Sequence, residues 1–248
     1  MTTYYRTQAF VLQKQDIGEA SQYFTLLTKD FGKIKVFAKS TRKIKSKLRS
    51  NLSLFYLSEI RFIQGRNQKT IIDTALVKNF DNLGKSLKKT QIAIQMAKVL
   101  SDLLKGTEKD EVIWNFYLWS FTKLNSPSLE LRHLNSLYYF FLWNLFALLG
   151  YSPQLYNCFS CKKKLFPQKF YFSPSDGGII CASCFQKKKD SFKEKAFFID
   201  PDTVKYLRIT LKKDWNVLFK LKIDCSCKQS IKTTSSNYLN YLLQKRKM

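Results

Sequence analysis

The sequence predicts an α+β, multidomain chain: an N-terminal five-stranded β-barrel, then an all-α domain with an inserted four-cysteine metal module. Three observations predict it. Residues 1–80 alternate apolar and polar side chains between short turns. After Phe80 the apolar spacing becomes helical. Two CxxC pairs, CFSC and CASC, interrupt the helical part. The domains expected are residues 1–80, residues 81–248 and, inserted in the second, a module over 156–190.

The first strand is expected at Thr7–Lys14 (TQAFVLQK) and the second at Gln22–Thr28 (QYFTLLT). Between the second and third strands, Lys29-Asp30-Phe31-Gly32 supplies turn chemistry. The third strand, Lys33–Ser40, alternates cleanly. Ile34, Val36 and Ala38 share one face, and Lys33, Lys35, Phe37 and Lys39 share the other. The stretch STRKIKSKLRS, residues 40–50, carries Arg42, Lys43, Lys45, Lys47 and Arg49 and no acid. If it is extended, Lys43, Lys45, Lys47 and Arg49 all point to one side. Strands at Phe55–Ile63 and Lys69–Val77 flank a turn at Gln64-Gly65-Arg66-Asn67. A small barrel buries one face of five such strands and hides their edges; the OB-fold is the familiar five-stranded case.

Helices are expected over Lys85–Leu104, Val112–Leu124, Leu129–Leu149, Asp202–Leu211 and Ser236–Lys245, with Gly150 ending the third. The most apolar run, Leu137–Leu149, is shorter than the roughly 20 residues that span a bilayer. Arg132 and His133 precede it and Asn144 lies inside it, so it reads as a buried helix.

The formal charge is +25, from 43 Lys+Arg against 18 Asp+Glu. That excess repels itself in a monomer and favours a polyanionic partner, nucleic acid before an anionic membrane surface. Hydrophobic residues make up 45% of the chain, enough for a real core, which excludes global disorder. The opening MTTYYRTQAF has no apolar signal core, so a cytoplasmic protein is expected. Its thiols are then reduced, and its six cysteines are expected as metal ligands or bystanders rather than disulfides.

Cys158, Cys161, Cys181 and Cys184 form two knuckles across a 19-residue spacer. Each knuckle can present two thiolates to one tetrahedral ion, and the closed shell leaves no place for a reacting water. One structural Zn2+ is expected. Cys225 and Cys227 have no partner pair nearby and are read as bystanders. Lys162–Lys164 follow the first knuckle and Lys187–Lys189 the second. A phosphate partner and plain solvation account for these lysines equally well.

These motifs together resemble the bacterial RecO family of recombination mediators. The run AFVLQKQDIGEASQYFTLLTKDFGKIKVFAKSTRKIKSKLRS is similar to that family's opening barrel, with Gly18-Glu19-Ala20, a turn glycine and a basic segment. LLGYSPQLYNCFSC and FSPSDGGIICASC are similar to its passage from helix to zinc module, including Gly177-Gly178 before the second knuckle. Residues 5–190 carry the resemblance, and the last 50 match loosely. Many relatives have Gly at the position of Ser40 and Arg-Arg at Arg42-Lys43; Lys keeps the charge but lacks the planar fork of Arg. The resemblance implies an OB-fold domain, a helical domain and a zinc module. It implies binding of single- and double-stranded DNA and annealing of complementary strands. It also implies partnership with RecR and with the C-terminal tail of single-stranded DNA-binding protein, loading of RecA, and a place in the cytoplasm with the nucleoid.

The residues agree in kind. Single-strand binding needs cations for phosphates and exposed aromatics for bases. Lys33, Lys35, Phe37 and Lys39 offer both. Between Lys29 and Arg49 nine cations face one acid, net +8. Arg61 and Arg66 would extend the groove. Tyr23 is expected beside Phe37 across the hairpin, in either a stacking or a plain packing role. No enzyme signature is present: His133 is the sole histidine, no GxxxxGK[ST], GxSxG or HExxH occurs, and Asp110-Glu111 reads as helix N-terminal charge. The competing reading is an RNA-binding OB/zinc protein of ribosome biogenesis or translation. A membrane-surface role would need a longer basic amphipathic helix than SNYLNYLLQKRKM supplies.

Overall fold

The structure is a computed structural model that describes residues 3–166, 168–187 and 196–246. The chain divides into two compact units, Met1–Asn135 and Ser136–Met248. The first holds β1 (Tyr4–Ile17), β2 (Ser21–Thr28), β3 (Gly32–Ala38), β4 (Tyr56–Gln64) and β5 (Lys69–Asn79). These close into a barrel in the order β1-β2-β3-β5-β4. All neighbours are antiparallel except β3 and β5, which pair in parallel through Val36↔Lys69 and Phe37↔Thr70. The barrel is filled by Phe24, Leu26, Ile34, Val36, Ile60 and Phe62, so the alternation of the third strand is the pleat of a one-sided core.

β1 departs from that alternation because it is buried on both faces. Ala9 and Val11 point into the barrel. Phe10 packs outward against Phe80, Trp114, Tyr117 and Phe121, with ring centroids 5.1–6.0 Å apart. Trp114, Tyr117 and Phe121 belong to α3 (Glu111–Asn125), which follows α1 (Asp81–Gly84) and α2 (Leu87–Leu103) in the same unit. Asp110 caps α3 by accepting from the Ile113 N–H at 2.9 Å, and Glu111 sits in its first turn, as the charge reading expects.

Two backbone positions hold this unit in shape. Gly32 has φ +58°, and a Cβ there would stand 2.2 Å from the Glu108 carbonyl oxygen, so the β2–β3 turn fits only as glycine. Ser40 also lies in the left-handed region, at φ 58°, without being glycine.

In the second unit α4 (Leu134–Leu148) is central. Phe141, Trp143 and Phe146 are fully buried. The Trp143 indole N–H donates to the Ser235 hydroxyl at 2.8 Å, and its ring stacks on Tyr238 at 5.5 Å. Asn144 is equally buried and donates to the Thr210 carbonyl at 3.0 Å, which explains a polar residue inside the most apolar run. Gly150, at φ +84°, turns the chain as Tyr151 N–H donates back to the Phe146 carbonyl.

A three-stranded sheet follows, in the order β7-β6-β8, from β6 (Phe170–Ser173), β7 (Gly178–Cys181) and β8 (Phe197–Ile199). The helices are α5 (Ala182–Lys187), α6 (Pro201–Leu211), α7 (Trp215–Lys220) and α8 (Cys225–Lys245). The sheet and α7 are too short for periodicity to reveal. The final helix begins at Cys225 rather than Ser236, because Asp224 caps it through the Cys227 N–H at 2.7 Å. Among the described residues no helix is long and apolar enough to cross a membrane.

Replacing Gly32 by Ala is expected to cost at least about 2 kcal/mol, from the backbone conformation plus the clash, read as a lower midpoint in denaturant. Ser40→Gly should move the midpoint the other way by up to about 1 kcal/mol, since the residue no longer strains a left-handed φ.

Candidate nucleic-acid interface and metal centre

Residues 39–55 connect β3 to β4, and STRKIKSKLRS is the greater part of that crossing. The stretch is not extended. Lys43 N–H donates to Ser40, Ser46 to Lys43 and Arg49 to Ser46, three successive i→i+3 turns that run into a short 3-10 turn at Arg49–Asn51. The expected one-sided stripe of Lys43, Lys45, Lys47 and Arg49 is therefore replaced by cations set around a turn ladder, because a strand here would have no neighbour to pair with. All four side chains, with Arg42, are exposed. Ile44, at 92% exposure, stands among them.

The loop is fixed to the barrel at both ends. Arg42 N–H donates to Ala20 at 2.9 Å, and Ser40 N–H to the Ser21 hydroxyl at 3.2 Å. At the other end Leu52 enters the barrel core and Leu48 packs against it. Lys14 Nζ donates to the Leu52 carbonyl, Ser58 Oγ to that of Asn51, and Asn51 Nδ2 to that of Thr74 at 2.9 Å. Burial lowers the Lys14 pKa.

The outer face of β3 is divided in use. Lys33 Nζ donates to the Ser101 carbonyl at 2.9 Å and to that of Leu104, where α2 ends; it satisfies orphan helix carbonyls instead of facing solvent. Lys35 is exposed and lies over the Tyr23 ring at 4.6 Å. Tyr23 and Phe37 pair directly across β2 and β3, with ring centroids 5.4 Å apart, and the Tyr23 hydroxyl meets Gln68 Oε1 at 2.5 Å. Lys39 is exposed at the end of the strand. Arg61 lies 3.9 Å from Asp73 on the neighbouring strand, Arg42 3.6 Å from Asp16, and Arg66 sits in the exposed β4–β5 turn. The sole histidine, His133, lies beside Arg132, 3.1 Å away, before α4.

The four knuckle cysteines converge. Cys158 and Cys161 come from the loop after α4, Cys181 ends β7 and Cys184 sits in α5. Their Sγ atoms all lie within 4.8 Å of one another, and Cys161 and Cys181 are 4.0 Å apart. A tetrahedral thiolate shell needs about 3.8 Å between sulfurs. The donor set therefore fits one thiophilic divalent ion, which these four residues would hold. Burial pushes the Cys158 thiol up, but N–H groups of Cys161, Cys181 and Ser160 outweigh it and bring the thiol to about 7. Burial and the neighbouring thiols push Cys184 up to about 12. Four sulfurs cannot share negative charge without a cation among them. Cys225 and Cys227 belong to α8, where Cys227 is buried 3.6 Å from the Thr203 hydroxyl. Of the lysines after the knuckles, Lys162–Lys164 and Lys187 are exposed; Lys188 and Lys189 lie outside the described residues.

Residues 1–80 match the family described as Recombination protein O N terminal, and residues 84–248 match Recombination protein O C terminal. The chain belongs to the RecO family. Its relatives include the DNA repair protein RecO of Caldanaerobacter subterraneus subsp. tengcongensis, 30% identical over 96% of this chain and 93% of the relative. That of Dehalococcoides mccartyi is 29% identical over 97% and 91%, and that of Acetivibrio thermocellus 24% over 98% and 93%. The match runs through the last 50 residues, where the sequence resemblance is loose.

Sequence reasoning missed the anchors of the basic loop. Spacing alone could not have found them: Ile44, Leu48 and Leu52 stand four residues apart, yet Leu52 is buried, Leu48 half-buried and Ile44 exposed.

Cys158→Ser is expected to abolish stoichiometric metal binding; metal analysis should find about one ion per parent chain and none in the variant. Lys33→Ala should lower stability by about 1–3 kcal/mol and leave the salt dependence of DNA binding unchanged. A reduced salt slope would return Lys33 to the interface.

Proposed function

We propose that the protein is a recombination mediator. It binds single- and double-stranded DNA at the cationic end of its barrel, anneals complementary strands and helps load RecA onto DNA coated by single-stranded DNA-binding protein. One observation carries this reading. Lys43, Lys45, Lys47 and Arg49 stand exposed on an anchored loop and form no ion pair among the described residues. Four neighbouring uncompensated cations repel one another until a polyanion arrives.

Phosphates supply that polyanion. Each phosphate neutralised by Lys or Arg releases a condensed counterion, so binding gains entropy and depends steeply on salt. Lys35, Lys39, Arg42, Arg61 and Arg66 extend the track, while Tyr23 and Phe37 offer ring faces to unstacked bases. Cations placed between two backbones lower their repulsion, which is the physical requirement of annealing. Backbone charge carries no sequence information, as suits a protein that must act on any strand. No bond is made or broken by this chain, and its action needs no nucleotide. The four-cysteine centre takes Zn2+ in a closed, structural shell. RecR and the acidic tail of single-stranded DNA-binding protein are the partners, and the nucleoid in the cytoplasm is the place of action. Membership of a DNA repair family favours DNA over the RNA-binding alternative.

The test is annealing of complementary oligonucleotides precoated with the cognate single-stranded DNA-binding protein, at several salt concentrations and without nucleotide. Annealing by the parent protein supports the reading; none, with tighter binding to structured RNA, overturns it. Changing Lys43, Lys45, Lys47 and Arg49 together to Ala should flatten the log–log salt slope for a single strand by up to about 3. An unchanged slope would remove the loop from the interface.

A further inference from the structure

The metal module carries a second surface of the same chemical kind. β6 places Tyr171 directly opposite Phe198 of β8 and Ile180 of β7, on the face of the small sheet away from Phe170 and Phe172. Phe198 is 56% exposed, and the two rings meet edge to face at 6.3 Å. Phe185, from α5, lies flat against Tyr171 with centroids 3.6 Å apart and planes 5° from parallel. Tyr171 and Phe185 are half-buried, so this aromatic step is open to solvent along one side. Lys169 precedes β6 by one residue, which sets it on the Tyr171 side of the pleat, and Lys187 ends the helix that carries Phe185. Both lysines are exposed. Between residues 156 and 187 there are five lysines and one acid, Asp176, whose carboxylate accepts from the Ser173 hydroxyl at 2.7 Å.

Large aromatic side chains on a small module are normally spent on its core. Phe170, Phe172 and Ile179 fill one side of the sheet, and Ile180, opposite Tyr171, is buried on the other. On the Tyr171 side Phe198 nevertheless stands exposed, and Lys169 and Lys187 form no ion pair among the described residues. Rings for base faces and ammonium groups for phosphates are the two requirements of sequence-tolerant single-strand binding. An acidic, apolar peptide would meet the same charges, but it gains little from an open ring stack.

We propose that this face is a second single-stranded DNA site. Phe198 and the Tyr171–Phe185 pair stack on bases, and Lys169 and Lys187 take the flanking phosphates. The proposal rests on the mediator reading above and extends it: each unit holds its own strand, so one chain can present two strands for annealing.

The experiment uses the full-length, metal-loaded protein and an oligodeoxythymidine carrying photoreactive 5-iodouracil. Crosslinks are expected in two groups of peptides, one from the barrel and one containing Tyr171, Phe185 or Phe198. The variant Phe198→Ala/Lys169→Ala/Lys187→Ala, checked for intact metal content and melting, should lose the second group. It should anneal roughly tenfold more slowly, about the worth of one base–aromatic stack, while binding a single short strand within about twofold of the parent. Crosslinks confined to barrel peptides, with annealing unchanged in the variant, overturn this inference and leave the mediator reading intact. A variant that anneals normally but no longer captures an immobilised acidic peptide assigns the face to a protein partner, and overturns it too. If the parent neither binds nor anneals DNA, both readings fall together.

Discussion

Closing a barrel of five strands in the order β1-β2-β3-β5-β4 sets a constraint that no hairpin can meet. β3 is sealed against β5, by two residue pairs only, while β4 lies between β5 and β1. The chain must therefore leave the sheet after Ala38 and re-enter at Tyr56. That crossing cannot hydrogen-bond to strands along its length, so it has to satisfy its backbone by itself. It does so with successive turns, and the apolar residues it can bury, Leu48 and Leu52, point back toward the barrel. What remains outside is cationic. The position of the charge thus follows from topology, and only its sign is a choice of sequence.

The second unit is organised around a different device. Its small sheet and two knuckles have too few residues for an independent core, and the four sulfurs come from a loop, a strand end and a short helix. A shared ion can fasten three such pieces at once, because metal coordination is worth more than the apolar area that so short a segment can bury. Trp143, Phe172 and Tyr238 continue the attachment to the helices, with Trp143 and Tyr238 stacked and Phe172 edge-on to both.

Much of this was legible in the sequence, for identifiable reasons. The strands of the barrel announce themselves by period-two alternation because one face is wet; Ile34, Val36 and Ala38 against Lys35 and Lys39 are the clearest case. The cysteine centre is legible because ligand spacing is a covalent property of the chain. The conformation of residues 40–50 was not legible. Alternating cations imitate a strand, and nothing local says that no strand stands ready to pair. Lys33 was likewise indistinguishable from Lys35 until α2 was seen to end against it. Asn144 looks anomalous in the sequence because it answers a demand made by distant backbone, the carbonyl of Thr210.

The anchored turn ladder has a thermodynamic consequence. A flexible basic tail must surrender much of its conformational freedom on meeting a duplex or a strand, and that loss subtracts from the electrostatic gain. Here the backbone from Ser40 to Leu52 is already ordered at both ends and by its own i→i+3 bonds. Only side-chain rotamers remain to be fixed. In the proposed reading, association of this loop with DNA is governed by ion release, with little coupled folding, so the encounter can be fast and readily reversed. If the protein anneals strands as proposed above, it gains from that reversibility as much as from affinity.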